Sequence, residues 1–322
     1  MAESTSNGLL ARILARGWGI YILLALTIAL FGLIAPAMVG PHHLLELSVH
    51  AAALGIVAMG QTLVMLLGMF DLSVGAIMTL VNVIGAGVMG EGQASPLLVL
   101  PLLLCLGAFI GWINGLGITR LKLPPFMMTL AMWLILRGAV LVYTKGGPKG
   151  VWPPSVQYFA KGWLGGIFPV STLFWIILTV AGILLLRHTV WGRYLYAVGG
   201  NPKASFLSGL KTNRVVVLTF TFCGMMAALA GIILSGFVGW GSFQVGGEEY
   251  LLNSVAASVL GGTTFSGGIG GLSGTLGGAY LLTLIDSGLT MAGVGYAGRL
   301  VFTGAVIVVF TGLYERLAIK TA

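Results

Sequence analysis

The sequence predicts an all-α polytopic membrane protein with about ten transmembrane helices, and three observations carry that reading. Its 322 residues are 57% hydrophobic and 7% charged, with a mean hydropathy of +1.03, where a soluble domain is roughly 45–50% apolar and 25% charged. The apolar residues form long runs broken by short polar ones, and a helix needs about 20 such residues to cross a bilayer. The basic residues gather in alternate breaks.

The first run follows a polar start and ends at Ala35-Pro36-Ala37, which imitates a signal-peptide cleavage site. Its apolar core of about 18 residues exceeds the 7–15 of a signal sequence, so it is expected to stay as the first helix. Spans are predicted at 18–38, 50–68, 72–90, 96–119, 124–143, 169–187, 214–236, 250–265, 272–291 and 297–314. They make one transmembrane domain, 18–314, between cytoplasmic tails at 1–17 and 315–322.

Orientation follows from the charges. With the N-terminus in the cytoplasm, that side collects Arg12, Arg16, Arg120, Lys122, Arg187, Arg193, Lys203, Lys211, Arg214, Arg316 and Lys320, eleven of the sixteen basic residues. Lys145, Lys149 and Lys161 fall outside, and Arg137 and Arg299 lie within or at the edge of spans. The positive-inside rule then places both termini in the cytoplasm. The net charge of +8 and pI near 9.7 are met by topology and anionic headgroups of the lipid bilayer, with no nucleic acid invoked.

Glycine is abundant, at 51 residues, and recurs every four positions at Gly107, Gly111 and Gly115 and at Gly270, Gly274 and Gly278. Such spacing lets helix backbones approach closely, or lets helices slide around a pathway. "GMFDLSVG" (68–75) and "GGTTFSGGIGGLSG" (261–274) are predicted to be broken helices, which are tolerated at membrane depth only where protein or water surrounds them. Their loose likeness allows a distant internal duplication.

Asp71 lies in the first break, and an intramembrane carboxylate is costly enough to point to function by default. Three roles stand open: a cap accepting a bond from the Ser73 or Val74 amide, a side chain lining a pathway, and a proton relay. Asp286 is the second carboxylate inside a span. An aspartyl protease is opposed by the sequences "MFD" and "LID", which lack that class's signatures; a hydrogen bond to a neighbouring helix is expected instead.

Other chemistry finds little support. Cys105 and Cys223 sit in apolar runs, where thiols act as small hydrophobes, and His42, His43, His50 and His188 lack the spacing of a metal site. "GVGYAG" (293–298) has no preceding strand, so it reads as an external turn and not a dinucleotide site. No GxxxxGK[ST] occurs, so ATP, if used, belongs to another chain. No cofactor and no catalytic residues are assigned, and the chain is expected not to be an enzyme.

The longest polar break, 188–213, contains a small helix in outline. Asn201 suits an N-cap, Pro202 the first helical position and Gly209 the position past the end. The predicted helix, 202–208, shows Ala204, Phe206 and Leu207 on one side, with Lys203 and Ser205 elsewhere. Too short to be stable alone, it must bury that side on the headgroups or in a groove of a cytoplasmic protein; docking is the preferred reading.

"GQTLVMLLGMFDLSVGAIMTL", "LPPFMMTLAMWLILRGAVLVYTKGGP", "GRYLYAVGGNPKASFLSGLK" and "SVAASVLGGTTFSGGIGGLSGTLGGAYLLTLI" occur in the order seen in ribose-type permeases, which the chain resembles over about 50–314. These are membrane subunits of ATP-binding-cassette importers for ribose, xylose, arabinose, galactose and related compounds. The resemblance implies a multi-pass protein of the bacterial inner membrane that pairs with a second permease protomer, a cytoplasmic two-cassette ATPase and a periplasmic sugar-binding protein. It implies that Gly199, Gly200, Asn201, Pro202, Lys203, Ala204, Phe206, Leu207 and Gly209 form the segment coupled to the ATPase. The polar residues expected to face the solute pathway are Gln61, Asp71, Ser73, Asn82, Asn114, Asn253, Thr263 and Thr264. Two departures stand out: Gly68-Met69-Phe70 replaces the usual Gly-Gly-Ile, and Pro202-Lys203 replaces acidic residues. The competing reading is a proton-coupled secondary transporter using Asp71 and Asp286.

Overall fold

The computed structural model describes residues 19–90, 92 and 94–319. The predicted N-terminal tail, with Arg12 and Arg16, and Lys320 of the C-terminal tail lie outside the described residues. A helix lies over each segment read as a span: α1 (Gly19–Ile34), α2 (Pro41–Leu66), α3 (Val74–Met89), α4 (Pro96–Arg120), α5 (Pro125–Thr144), α7 (Val170–His188), α10 (Thr212–Val238), α11 (Gly247–Leu260), α12 (Leu272–Met291) and α13 (Tyr296–Ile319). Of these, α2, α4, α5, α7 and α10 are each long and apolar enough to cross a membrane by length and composition. The chain is therefore a polytopic helical membrane protein.

Proline sets several starts. Pro41, Pro96 and Pro125 each stand in the first turn of their helix, where the missing N–H has no intrahelical partner to lose. This corrects the second boundary, since α2 begins at Pro41 and not at 50. The polar stretch His42-His43-Glu46 is helical, and His42 Nδ1 lies 3.4 Å from Glu46 Oε1 one turn on.

The core is built on α2 and α10. Burial reaches 94% of the most apolar stretch of α2, against 22% for α5, so α2 is enclosed by protein while α5 shows most of its surface. Helix α10 packs along α4, α2 and α3, and α12 packs on α11, α2 and α1. The first glycine stripe explains the α4–α10 contact. A Cβ added at Gly111 would stand 2.1 Å from the Phe220 carbonyl oxygen, and one at Gly107 would stand 2.4 Å from that of Gly224. Gly274 and Gly278 close in the same way on Gly261 and Ala257, so both stripes are packing surfaces. Gly111→Leu is expected to lower the thermal midpoint of the purified protein by an overpacking cost of about 1–3 kcal/mol or more, measured in detergent against the same change at Gly138, where a Cβ meets nothing within 4 Å.

Between α5 and α7 the chain forms β1 (Lys149–Val151), α6 (Pro154–Lys161), β2 (Trp163–Leu164) and β3 (Phe168–Pro169), and β4 (Trp240–Gly241) follows α10. Strands β1 and β4 pair antiparallel, with Lys149 opposite Gly241, as do β2 and β3. The wholly buried Trp152 anchors this region, and its ring closes on Gly85 of α3. The 188–213 break is likewise ordered, with α8 (Val190–Gly200) followed by α9 (Pro202–Leu207).

Candidate functional site

Both predicted helix breaks are present. Helix α2 ends at Leu66 and α3 begins at Val74; α11 ends at Leu260 and α12 begins at Leu272. The two breaks touch. Gly268 N–H donates to the Leu66 carbonyl oxygen at 2.9 Å, and the Phe70 and Phe265 rings lie 5.0 Å apart. Phe70, one of the two bulky departures, thus joins one break to the other. Gly68, at φ +71°, makes the turn out of α2, a backbone conformation that a side chain would strain.

Helix α8 closes over this junction. The Tyr196 hydroxyl donates to the Gly270 carbonyl oxygen at 2.9 Å, and a Cβ on Gly199 would stand 1.8 Å from the Leu66 carbonyl oxygen. One helix therefore touches both breaks. The next element, α9, carries the predicted caps: Ala204 N–H donates to Asn201 Oδ1 at 2.9 Å, Pro202 occupies the first turn, and Gly209 has φ +82°. Phe206 and Leu207 are 67% and 77% exposed, while Ser205 is the residue turned inward. The helix is held by its capping bonds, with an apolar pair left uncovered.

The eight polar candidates fall in separate places. Asp71, Ser73 and Asn114 are wholly buried and form one chain: Asn114 Nδ2 donates to Ser73 Oγ at 2.9 Å, and Ser73 Oγ donates to Asp71 Oδ1 at 2.6 Å. The Ser73 amide also donates to Asp71 Oδ1 at 2.8 Å, an Asx turn that leads into α3. Asp71 Oδ2 has no conventional hydrogen-bond partner, and the Cys223 thiol lies beside the carboxyl. Thr263 and Thr264 lie buried in the second break, where Thr264 N–H donates to the Ile269 carbonyl oxygen at 3.1 Å.

Asn82 belongs elsewhere. Its Nδ2 donates to Ser235 Oγ at 2.7 Å and its Oδ1 accepts from the Ser242 amide at 2.7 Å, tying α3 to α10 and the loop after β4. Gln61 is buried in α2 with both amide atoms unpartnered. Beside it lies a hydroxyl cluster not among the predicted residues, Thr62, Ser258 and Thr275, in which Thr62 Oγ1 lies 2.9 Å and 2.7 Å from the other two. Its signal is three hydroxyls inside apolar spans, which can bond across a helix contact as well as back to their own helices.

Asn253 lines a cavity of about 340 Å³ between α2, α11 and α12, with His43, His50, Tyr250 and Asp286. Asp286 Oδ2 lies 2.7 Å from Arg299 Nη1 of α13, so it bonds to a neighbouring helix as an ion pair. A second cavity, of about 310 Å³, lies where α3, α5, α11 and α13 meet, and Arg137, Glu248, Trp133 and Tyr296 line it.

Comparison with known proteins places the chain among transport permeases. A family model described as branched-chain amino acid transport system / permease component matches residues 43–311. The ribose import permease of Bacillus subtilis is 39% identical over 90% of each chain. That of Escherichia coli K12 is 35% identical over 89% of each. The fructose import permease of Rhizobium meliloti is 33% identical over 89% of this chain and 82% of its own. No solved structure matches the chain.

Proposed function

The chain belongs to the family of branched-chain amino acid transport system permease components, and from that premise we propose that it is the permease subunit of an ATP-binding-cassette importer for a monosaccharide or similar polyhydroxylated solute. It works in the bacterial inner membrane as one domain, 18–314, of ten spans with both tails in the cytoplasm. A second protomer completes the pathway, a periplasmic binding protein delivers the solute, and a two-cassette ATPase binds and hydrolyses the ATP. This chain carries no cofactor and no catalytic step. The named sugars of its relatives, ribose and fructose, favour a small neutral sugar as cargo.

The observation that carries the proposal is the continuity from α9 to the helix breaks. The exposed Phe206-Leu207 pair offers a docking knob to the ATPase. Movement there passes through α8, which touches both breaks at Gly199 and Tyr196. The breaks hold Asp71, Ser73, Thr263 and Thr264, with Asn114 bonded to Ser73. These residues, with Gln61, Asn82 and Asn253, are proposed to meet the solute in turn as the packing changes. Such switching uses a few loop residues to move whole helices.

Proteoliposomes test this. Uptake is expected only with the permease, the ATPase and ATP inside, and the binding protein outside. Transport by the permease alone, driven by a proton gradient, would overturn the reading in favour of a secondary carrier. The cargo is identified by thermal shift of the binding protein, because a bound sugar raises its midpoint by mass action.

A further inference from the structure

Arg137 is the single charged residue of α5, and it stands about 18 Å along a helix that rises 1.5 Å per residue. An arginine so placed is too costly to face lipid and is held where protein or water meets it. Its Nη1 lies 2.7 Å from Glu248 Oε1 of α11, and its guanidinium lies 5.0 Å from the centroid of the Trp133 ring. Yet burial does not absorb the pair, whose side chains remain 56% and 61% exposed. They open into the cavity of about 310 Å³, whose other walls include Phe243, Gln244 and Tyr296.

We infer that this cleft is a binding site for a neutral sugar within a single protomer, a waystation apart from the helix breaks; the inference rests on the importer reading. Its volume is at the small end of ligand pockets, which run from about 300 to 1,000 Å³, and suits a monosaccharide. The chemistry matches the two sides of such a molecule. Aromatic rings cover its C–H face, while the guanidinium donates to hydroxyl oxygens and the carboxylate accepts from hydroxyl hydrogens. Glu249 also lines the cleft, so two carboxylates face one guanidinium, and the excess negative charge opposes phosphorylated sugars. Because the ion pair is preformed and more than half exposed, a passing hydroxyl can bond to it without the pair having to be uncovered, which suits release as well as binding.

The test uses the full chain in nanodiscs, with the exposed Cys105 changed by Cys105→Ser and a reporter placed by Gln244→Cys. Cells expressing the whole importer first show which member of a panel of pentoses, hexoses and polyols is taken up. That sugar is expected to slow maleimide labelling of the reporter by about threefold or more when present in excess, as mass action requires. Ribose 5-phosphate is expected to give no protection. Trp133→Leu should abolish the protection; if that variant does not fold, Glu248→Gln, at a largely exposed position, carries the same expectation. An unchanged labelling rate with a transported sugar, or protection that survives the substitution in a folded protein, overturns the site alone. Failure of uptake across the whole panel overturns the importer reading and the site with it.

Discussion

Aspartate at both Phe206 and Leu207 is expected to leave the permease folded and inserted while abolishing its capture of the ATPase and all ATP-driven uptake. The two side chains are 67% and 77% exposed, so the change removes almost no contact within the chain, and surface substitutions of that kind usually stay within about 0.5 kcal/mol. The helix itself depends on the Asn201 cap, on Pro202 and on Gly209, none of which is altered. At an interface the account is different. Burying a Phe or Leu side chain is worth about 1.5–3 kcal/mol, and each 1.4 kcal/mol is tenfold in affinity. Two such losses, with two charges now desolvated, weaken docking by well over a hundredfold on that scale. Pull-down of the ATPase and uptake into proteoliposomes measure it. Undiminished capture would instead place α9 on the lipid headgroups, the alternative open to any short amphipathic helix.

Local punctuation is what made α9 legible: Asn-Pro at its start and Gly just past its end each satisfy or avoid a backbone group that the sequence itself identifies. Helix α8, immediately before it, went unread because Gly192, Gly199 and Gly200 are poor helix formers. Its reason is tertiary, since Gly199 closes on Leu66. The start of α2 was missed for a similar reason: two histidines and a glutamate read as loop although Pro41 marks the first turn. Strand β1 finds its partner β4 only after five further helices, which no local pattern reveals. The same holds for Arg137. From the sequence it is a lone charge within a span; its partner is set by the fold, where α11 brings Glu248 to 2.7 Å. The breaks at 68–75 and 261–274 were visible from glycine and polar residues inside apolar runs. That they pack on one another, through Phe70 and Phe265, was not.

Asp71 supplies the other large effect. Asp71→Ala is expected to deplete the folded protein from the membrane, whereas Asp71→Asn should keep both abundance and uptake near those of the parent. The argument is one of acceptors. Asp71 Oδ1 alone receives the Ser73 amide at 2.8 Å and the Ser73 hydroxyl at 2.6 Å, and Asn114 leans on that hydroxyl in turn. Alanine leaves the amide and the hydroxyl without their acceptor in a wholly buried place, and each unsatisfied buried group costs about 1–3 kcal/mol. Asparagine keeps an oxygen where Oδ1 stands, so both Ser73 bonds are retained, and it turns its NH₂ toward the Oδ2 side, where the neighbour is the Cys223 thiol. Membrane abundance and uptake, measured side by side, separate a turn-forming role from a charge-dependent one. Normal abundance with uptake abolished in Asp71→Asn would mean that the charge itself is needed, and would return Asp71 to the role of proton relay. Retention of both would mean that this carboxylate sets the path of the chain into α3, where its side-chain geometry, and not its titration, holds the first break beneath α8.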